Sequence, residues 1–514
     1  MNKTSVTKTV DSRSQSSQIN VWSRFDNKRS PTTIAPPKRQ FRWVVDTILP
    51  LTLTLVTGLV LLLPSSLTTE ARLSLFAFAV AVILWSTTSL NAAYVALASV
   101  MLLILSGGSE QEELYEALES DVIWLMIGAF ILGGAVQQTG LAARLTQLVV
   151  AKARTVGSVF WLLTTMLIPL SFVIPSTSGR AAVVIPIFRS IANAAGDRRI
   201  SRALSLLMPT IILVSTICTL VGAGSHLIAN DLLDEIADVK LSYGQWALYG
   251  LPFGIAASYI SCWVIMHLFL DKNRRHRQLL IPQQKQKPFS KAEQKTLIVV
   301  FVMVGLWLTE NWHGLEIAMV TVMGAMVLTA PGFGVITWKE GLKAISWNLI
   351  IFVGAALVLG EALIESEAAE WIINGLFSVS GIVGADSRLL ILLVLALISL
   401  TSHIYMTSHT ARAVALVPAL LYLGNSLHLD PIAVLFISTV GMDYCLTFPV
   451  SSKALLMFLE LDKDTYKSTD LLRLSSVLLL VHLGLIVLFY YSYWRWIGLQ
   501  LGSYAKNYSL LLAV

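Results

Sequence analysis

The sequence has few charged residues. Asp, Glu, Lys and Arg make up 13% of its 514 residues, whereas hydrophobic residues make up 55%. A soluble domain usually has about 25% charged residues, so this scarcity argues against a soluble protein. Many apolar runs, such as 44–63, 203–223 and 471–491, reach the ~20 residues that a helix needs to cross a bilayer. These runs do not alternate between apolar and polar residues as a membrane β-barrel does, so the sequence predicts an all-α polytopic membrane protein.

Cysteine is also scarce, and several catalytic motifs are missing. The separations of Cys218, Cys262 and Cys445 match no disulfide or metal framework, so each is interpreted as a small packing residue. The sequence contains no HExxH, P-loop, GxSxG or glycine-rich nucleotide motif, which argues against an ATP-driven pump or a membrane hydrolase. We therefore predict neither enzyme activity nor an organic cofactor.

The net charge is +6, and the basic residues are concentrated before the first apolar run and in the central loop. The positive-inside rule predicts that both segments are cytoplasmic, and this explains the basic patches without a nucleic-acid partner. We expect an integral protein of the plasma (inner) membrane with a cytoplasmic N-terminus. The predicted organisation is a disordered basic tail at 1–42, a first membrane repeat with scaffold helices at 43–271, a cytoplasmic basic linker at 272–295 and a second membrane repeat at 296–514.

A short polar phrase occurs twice between apolar runs. The first copy reads PSTSGRAA and the second reads TSHTARA. In each copy a serine (Ser176 or Ser408) is followed four residues later by an arginine (Arg180 or Arg412) and ten residues later by a proline. A charged side chain at the centre of a membrane helix costs roughly 2.5–3.5 kcal/mol on insertion scales. Two such insertions at matching positions indicate that the two halves bind an anion between them.

Other polar and small residues match between the halves in nearly the same register. Glu116 is matched by Glu340, and Gly128 is matched by Gly354. The separation in sequence within each pair is almost the same as that between the two phrases. Such internal repeats are common in secondary transporters, whose substrate sites lie at the repeat interface. Each phrase also interrupts a helical run, and a broken helix in a membrane is tolerated only against protein or water. We therefore predict two inverted repeats with broken helices around a cavity.

A second polar turn follows each phrase, and it ends at His226 in the first half and at Lys453 in the second. Half-helix N-termini carry a partial positive charge that favours anions, and arginine and lysine add full charges. The candidate substrate-binding residues are Ser176, Thr177, Ser178, Arg180, Ser225, His226, Ser408, His409, Thr410, Arg412, Ser452 and Lys453.

The role of the buried charges is left open. Asp443 is either a proton-coupling site or a fixed ion-pair partner for Lys453 or Arg412. The arginines bind the anion or form structural ion pairs, since buried charges are normally paired. The candidate partners for such pairs are Glu361, Glu365, Glu367, Glu370 and Asp443.

The two phrases resemble the twin Ser-Asn-Thr phrases of the divalent-anion/sodium symporter family of di- and tricarboxylate and sulfate carriers. Ser176-Thr177-Ser178 and Ser408-His409-Thr410 fall on them, and Pro186 and Pro418 follow at the expected places. The resemblance covers roughly 44–500. It implies a homodimer in the lipid bilayer, with a scaffold part and a transport part in each protomer. It also implies an elevator movement of the transport part, and re-entrant hairpins at about 119–150 and 345–375.

The sequence departs from the family pattern at the positions that accompany sodium binding. Thr177 and His409 replace the phrase asparagines, and the later Thr-Pro-Pro signature is missing. The second phrase instead resembles the Ser-x-Thr-Ala-Arg form of the exchanger branch. Fixed cations in place of sodium would make the empty site expensive to move across the bilayer.

This departure predicts exchange of C4-dicarboxylates or tricarboxylates by a secondary transporter. One alternative is sodium- or proton-coupled symport of a dicarboxylate or sulfate, so the need for sodium stays open. An alternative of another class is a membrane receptor or scaffold that does not transport.

Overall fold

The structure is a computed structural model that describes residues 48–63, 66–88, 90–150, 152–279, 288–368, 371, 387–461 and 464–502, without the side chains of 146–150 and 311. The predicted tail at 1–42 lies outside these ranges. Within them the chain is helical and forms no β-sheet.

The helices of the first half follow the apolar runs of the sequence and are broken at its polar phrases. They are α1 (Leu49–Leu61), α2 (Thr69–Thr87), α3 (Ala92–Leu105), α4 (Gln111–Glu116), α5 (Asp121–Thr139), α6 (Leu141–Val150), α7 (Val156–Val173), α8 (Thr177–Ala195), α9 (Arg198–Val214), α10 (Gly224–Ala237) and α11 (Tyr243–Phe269). Two 3-10 turns, Thr216–Cys218 and Leu220–Gly222, connect α9 to α10.

The second half begins after a short helix in the central loop and largely repeats this order. The helices from that short one onwards are α12 (Lys272–His276), α13 (Lys291–Leu308), α14 (Glu310–His313), α15 (Ile317–Thr329), α16 (Trp338–Ala344), α17 (Trp347–Glu365), α18 (Arg388–Tyr405), α19 (His409–Ser426), α20 (Pro431–Met442), α21 (Lys453–Leu459) and α22 (Ser468–Phe489). Because α13 starts at Lys291, it includes the last residues of the predicted linker, 272–295.

Eight helices in the described part of the chain are long and apolar enough to cross a membrane. They include α11, which is 27 residues long, and α22 with the turn that follows it. Many of the large apolar side chains that remain exposed lie on α1, α13 and α15, as expected for helices that face lipid. The prediction of an all-α polytopic membrane protein is confirmed.

The two halves show the same order of elements and exchange their packing partners. Helices α2–α5 and α7–α11 correspond to α13, α15–α17 and α18–α22. Helix α5 packs on α15 as α17 packs on α3, and α10 packs on α19 as α21 packs on α8. Such crossed packing is what a pseudo-two-fold axis between two inverted repeats produces.

The contacts divide most helices into two groups. The framework group consists of α1–α5 and α13–α17, and the carrier group consists of α7–α11 and α18–α22. Contacts between the groups involve few helix pairs, chiefly α17 with α10 and α19. The first predicted hairpin, 119–150, covers α5, a left-handed turn at Gly140 and α6. The second, 345–375, shows no hairpin in its described part: it holds one continuous helix, α17, which is long enough to cross a membrane, while 369–370 and 372–375 lie outside the described ranges.

Helix α11 crosses the chain closely at the break between α9 and α10. A Cβ atom at Gly250 would lie 2.1 Å from the carbonyl oxygen of Ile217. Trp246, one turn earlier, donates a hydrogen bond from its indole Nε1 to the same oxygen, at 3.2 Å. Gly250 therefore lets α11 hold the 3-10 turn that leads into the polar segment before α10.

We predict that Gly250→Ala destabilises the purified protein by about 2 kcal/mol, because the added methyl group meets backbone that has little room to move. The matched control is Gly305→Ala on α13, where a Cβ would have no neighbour within 4 Å. That change should be neutral or stabilising by about 0.5–1 kcal/mol, since alanine favours a helix over glycine. Equal denaturation midpoints for the two variants in detergent would contradict the tight crossing.

Candidate functional site

A cavity of about 500 Å³ lies between the framework and carrier groups. On the carrier side it is lined by both phrases, 175–178 and 407–410, and by both later turns, near 223–225 and 450–453. On the framework side it is lined by the starts of α3 and α17 and by the middle of α5. Segments from the two halves of the sequence thus meet around one space.

The two phrases have the same local geometry. Each serine caps the helix that follows it: the Ser176 hydroxyl accepts from the backbone N–H of Gly179 at 3.2 Å, and that of Ser408 accepts from Ala411 at 3.3 Å. The Ser176 and Ser178 hydroxyls are 3.0 Å apart, and those of Ser408 and Thr410 are 3.1 Å apart. Helices α8 and α19 therefore both begin at the cavity, with hydroxyl groups around their first turns.

Helices α10 and α21 also begin at the cavity. The residue before α10, Ala223, has no side-chain cap to offer, while Ser452 caps α21. Four helix N-termini therefore surround one space, and each contributes partial positive charge. The hydroxyls of Ser225 and Ser451 line the same space, are more than nine-tenths buried and have no hydrogen-bond partner in the described part of the chain. Buried polar groups normally have partners, so these hydroxyls suit a polar ligand.

The lining contains a single fixed cation and no carboxylate among the described residues. Lys453 is exposed in the cavity and forms no hydrogen bond or ion pair with them through its ammonium group. His409 also lines the cavity, and its Nε2 lies 2.9 Å from the Cys445 sulfur. Hydroxyls, helix N-termini and one ammonium group together favour a small anion over a cation.

Arg180 and Arg412 are fully buried behind the lining. Arg180 donates from Nη2 to the carbonyl of Gly222 at 2.9 Å. Arg412 donates from Nη1 to Met406 at 3.0 Å and from Nη2 to Met442 at 3.1 Å. These carbonyls lie at the ends of helical segments, where backbone oxygens lack intrahelical partners. The arginines thus bind backbone at the helix breaks, so direct contact with a bound anion stays a prediction.

Neither arginine forms a salt bridge with a described carboxylate. Glu361, Glu365, Glu367 and Asp443 were the candidate partners within the described ranges, and Glu370 lies outside them. The structure pairs Asp443 with His226, whose Nε2 lies 2.8 and 3.0 Å from the two carboxylate oxygens. Thr216 donates a further hydrogen bond to Asp443 at 2.9 Å. This buried pair joins the two halves of the chain, and no pattern in the sequence had indicated it.

The His226 ring has a second partner on its other side. Its Nδ1 lies 3.2 Å from the carbonyl oxygen of Thr219, so both ring nitrogens lie within hydrogen-bonding distance of a polar atom. Buried polar groups normally have such partners, and the pair therefore fits its buried position.

Three polar residues line the framework side of the cavity and were not predicted from the sequence: Asn91, Ser346 and Asn348. Each lies at the start of an apolar helix, where asparagine and serine are common as capping residues. That position makes them look like local caps, and only the tertiary packing brings these two helix starts to the cavity. No group of three or more His, Cys, Asp or Glu residues in the described part of the chain is arranged to hold a metal ion.

The fold and the cavity define a class: a polytopic helical membrane protein with two repeats and a polar site between them, as in secondary transporters. A family model described as "Sodium:sulfate symporter transmembrane region" matches residues 44–500. The chain therefore belongs to the divalent-anion/sodium symporter family, which confirms the resemblance found in the sequence. It is a membrane transport protein, not an enzyme.

Individual relatives are distant. A citrate/succinate antiporter of Escherichia coli is 22% identical over 72% of this chain and 77% of its own. A sodium-dependent dicarboxylate transporter of Staphylococcus saprophyticus is 23% identical over 72% of this chain and 76% of its own. The crystal structure of the Alcanivorax borkumensis YdaH transporter has a TM-score of 0.54 at 14% identity and covers 85% of this chain and all of that one. This last likeness concerns the fold alone.

We predict that Asp443→Ala destabilises the protein by about 3–5 kcal/mol, because it leaves the buried His226 ring without its partner. His226→Ala should have a similar effect, and the double variant should lose clearly less than the sum of the two. Denaturation midpoints of the four proteins in detergent measure this coupling. Additive losses would show that the two side chains do not stabilise each other.

Proposed function

We propose that the protein is a secondary transporter that exchanges divalent organic anions, either C4-dicarboxylates or tricarboxylates, across the plasma membrane. The observation that carries the proposal is the cavity where four helix N-termini, a set of hydroxyls and Lys453 meet without a carboxylate among the described lining residues. A dicarboxylate has two separated anionic groups, one for each phrase. The twin geometry of Ser176–Ser178 and Ser408–Thr410 suits such a ligand.

The arginines support exchange. Arg180 and Arg412 lie beside the helix breaks as permanent cations, whereas sodium ions in a coupled carrier could leave the site. A carrier with built-in cations needs an anion to neutralise them before its binding site crosses the bilayer, because moving uncompensated charge through lipid is costly. We therefore favour obligatory exchange over sodium-coupled symport, although relatives of both kinds exist.

The two helix groups support an elevator movement. The carrier group provides both phrases and both later turns, while the framework group provides one wall of the cavity. Few helix pairs join the groups, so sliding one past the other would disrupt little packing. We propose that the framework group pairs with a second protomer within the lipid bilayer, and that the N-terminus is cytoplasmic.

We expect proteoliposomes that contain internal succinate to take up labelled succinate or citrate rapidly. Empty vesicles should take up little, and an inward sodium gradient should change neither result. The reason is that a bound dianion offsets most of the positive charge at the site, whereas the empty site keeps all of it. Rapid uptake into empty vesicles that depends on a sodium gradient would contradict exchange, and no uptake of any divalent anion in either case would contradict the proposed function.

We predict that Lys453→Gln raises the half-saturating concentration of a dicarboxylate about tenfold or more, since a hydrogen bond to a charged group contributes about 1.5–3 kcal/mol. Lys453→Arg, which keeps the charge, should lose less. The control is Lys339→Gln, which removes an exposed lysine that is not in the cavity lining. Initial rates of counter-substrate exchange at varied external concentration give these values. Equal half-saturation in Lys453→Gln and Lys339→Gln would contradict a binding role for Lys453.

A further inference from the structure

The framework wall of the cavity presents two side-chain amides. Asn91 caps α3 through its Oδ1, which accepts from the backbone N–H groups of Ala93 and Tyr94 at 2.9 and 3.4 Å. Its Nδ2 hydrogens are thereby left for another acceptor. Asn348, in the first turn of α17, is exposed in the cavity and forms no side-chain hydrogen bond with the described residues. These amides add hydrogen-bond donors to two further helix N-termini that face the anion site.

The repeat-related helices begin with different residues. Helix α3 corresponds to α15, whose N-cap is Glu316 in place of Asn91. Helix α17 corresponds to α5, which begins at Asp121 and has Val122 at the position of Asn348. One of the two equivalent walls therefore offers amide donors, whereas the other offers a carboxylate and an apolar side chain.

The contacts between the two groups are also one-sided. Helix α17 packs on α10 and α19, whereas α5 makes at most marginal contact with their counterparts, α21 and α8, in the described part of the chain. If the two repeats exchanged their roles, α5 would pack on α21 and α8, and α17 would lose its contacts with α10 and α19. The cavity would then face the starts of α15 and α5. The structure thus shows one of two related arrangements.

We infer that Asn91 and Asn348 bind one carboxylate of the transported anion, the one nearer the framework wall, when the cavity faces the starts of α3 and α17. It follows that the carrier binds its anion more tightly on this face of the membrane than on the opposite face, where Glu316 takes the place of Asn91. This inference rests on the proposed function. In the proposed elevator movement the framework wall stays in place while the anion moves with the carrier group. Asn91 and Asn348 would therefore affect the affinity for the anion on one face of the membrane only.

The test uses exchange of labelled succinate in right-side-out and everted membrane vesicles, with vesicles from cells that lack the protein as background. Wild-type half-saturation should be several-fold lower on the face of α3 and α17. Asn91→Asp keeps a good helix cap and adds a charge like that of Glu316. Asn91→Asp and Asn348→Asp should each raise half-saturation on that face about tenfold, since like charges a few ångströms apart repel. Half-saturation on the opposite face should change less than about twofold.

Three further variants make the result specific. Asn348→Ala removes the donor without adding charge and should raise half-saturation severalfold on the same face. Glu316→Gln should lower half-saturation on the opposite face alone. Asn273→Asp places the same new charge on the exposed helix α12, away from the cavity, and should change neither face.

Two outcomes overturn the inference: equal wild-type half-saturation on both faces, or Asn→Asp effects of the same size on both. If the wild type exchanges succinate normally and the variants match it, this inference fails while the proposed function stands. If the wild type exchanges no divalent anion in either kind of vesicle, the proposed function fails and the inference fails with it.

Discussion

Every helix that ends inside a membrane leaves backbone groups that need partners, and this requirement organises the structure. The chain breaks helices in both halves and turns the resulting N-termini towards one cavity, where their N–H groups attract negative charge. Carbonyl groups at the other ends are bound by two buried guanidinium groups, Arg180 at Gly222 and Arg412 at Met406 and Met442. The anion site and the costly arginines are thus two consequences of the same breaks.

The charged side chains around the site have different partners. His226 and Asp443 are paired with each other between the two halves, and neither is part of the cavity lining. Among the lining residues that the structure describes, Lys453 is the one fixed cation exposed to the cavity, and the two arginines are buried behind the lining. A divalent anion between the phrases would face one full positive charge and several partial ones. On the proposal of exchange, the same positive surroundings would make the empty site costly to move across the bilayer.

Much of this arrangement could be predicted because polar residues are rare in such a sequence. The matched positions of Ser176 and Ser408, and the equal spacing to their arginines, were enough to predict two repeats that meet at a cavity. Side-chain direction could not be predicted in the same way. Whether Arg412 points to a ligand or to the carbonyl of Met442 depends on where α20 ends in space. The partner of Asp443 was likewise hidden, since His226 is distant in sequence and lies in the other repeat.

The most direct measurement is an experimental structure of the protein in lipid nanodiscs with bound citrate or succinate. We expect ligand density between Ser176–Ser178 and Ser408–Thr410, within hydrogen-bonding distance of the Lys453 ammonium group, with Arg180 and Arg412 still bound to backbone carbonyls. Ligand density elsewhere, with this cavity occupied only by water in a protein that exchanges the same anion, would contradict an anion site between the two phrases.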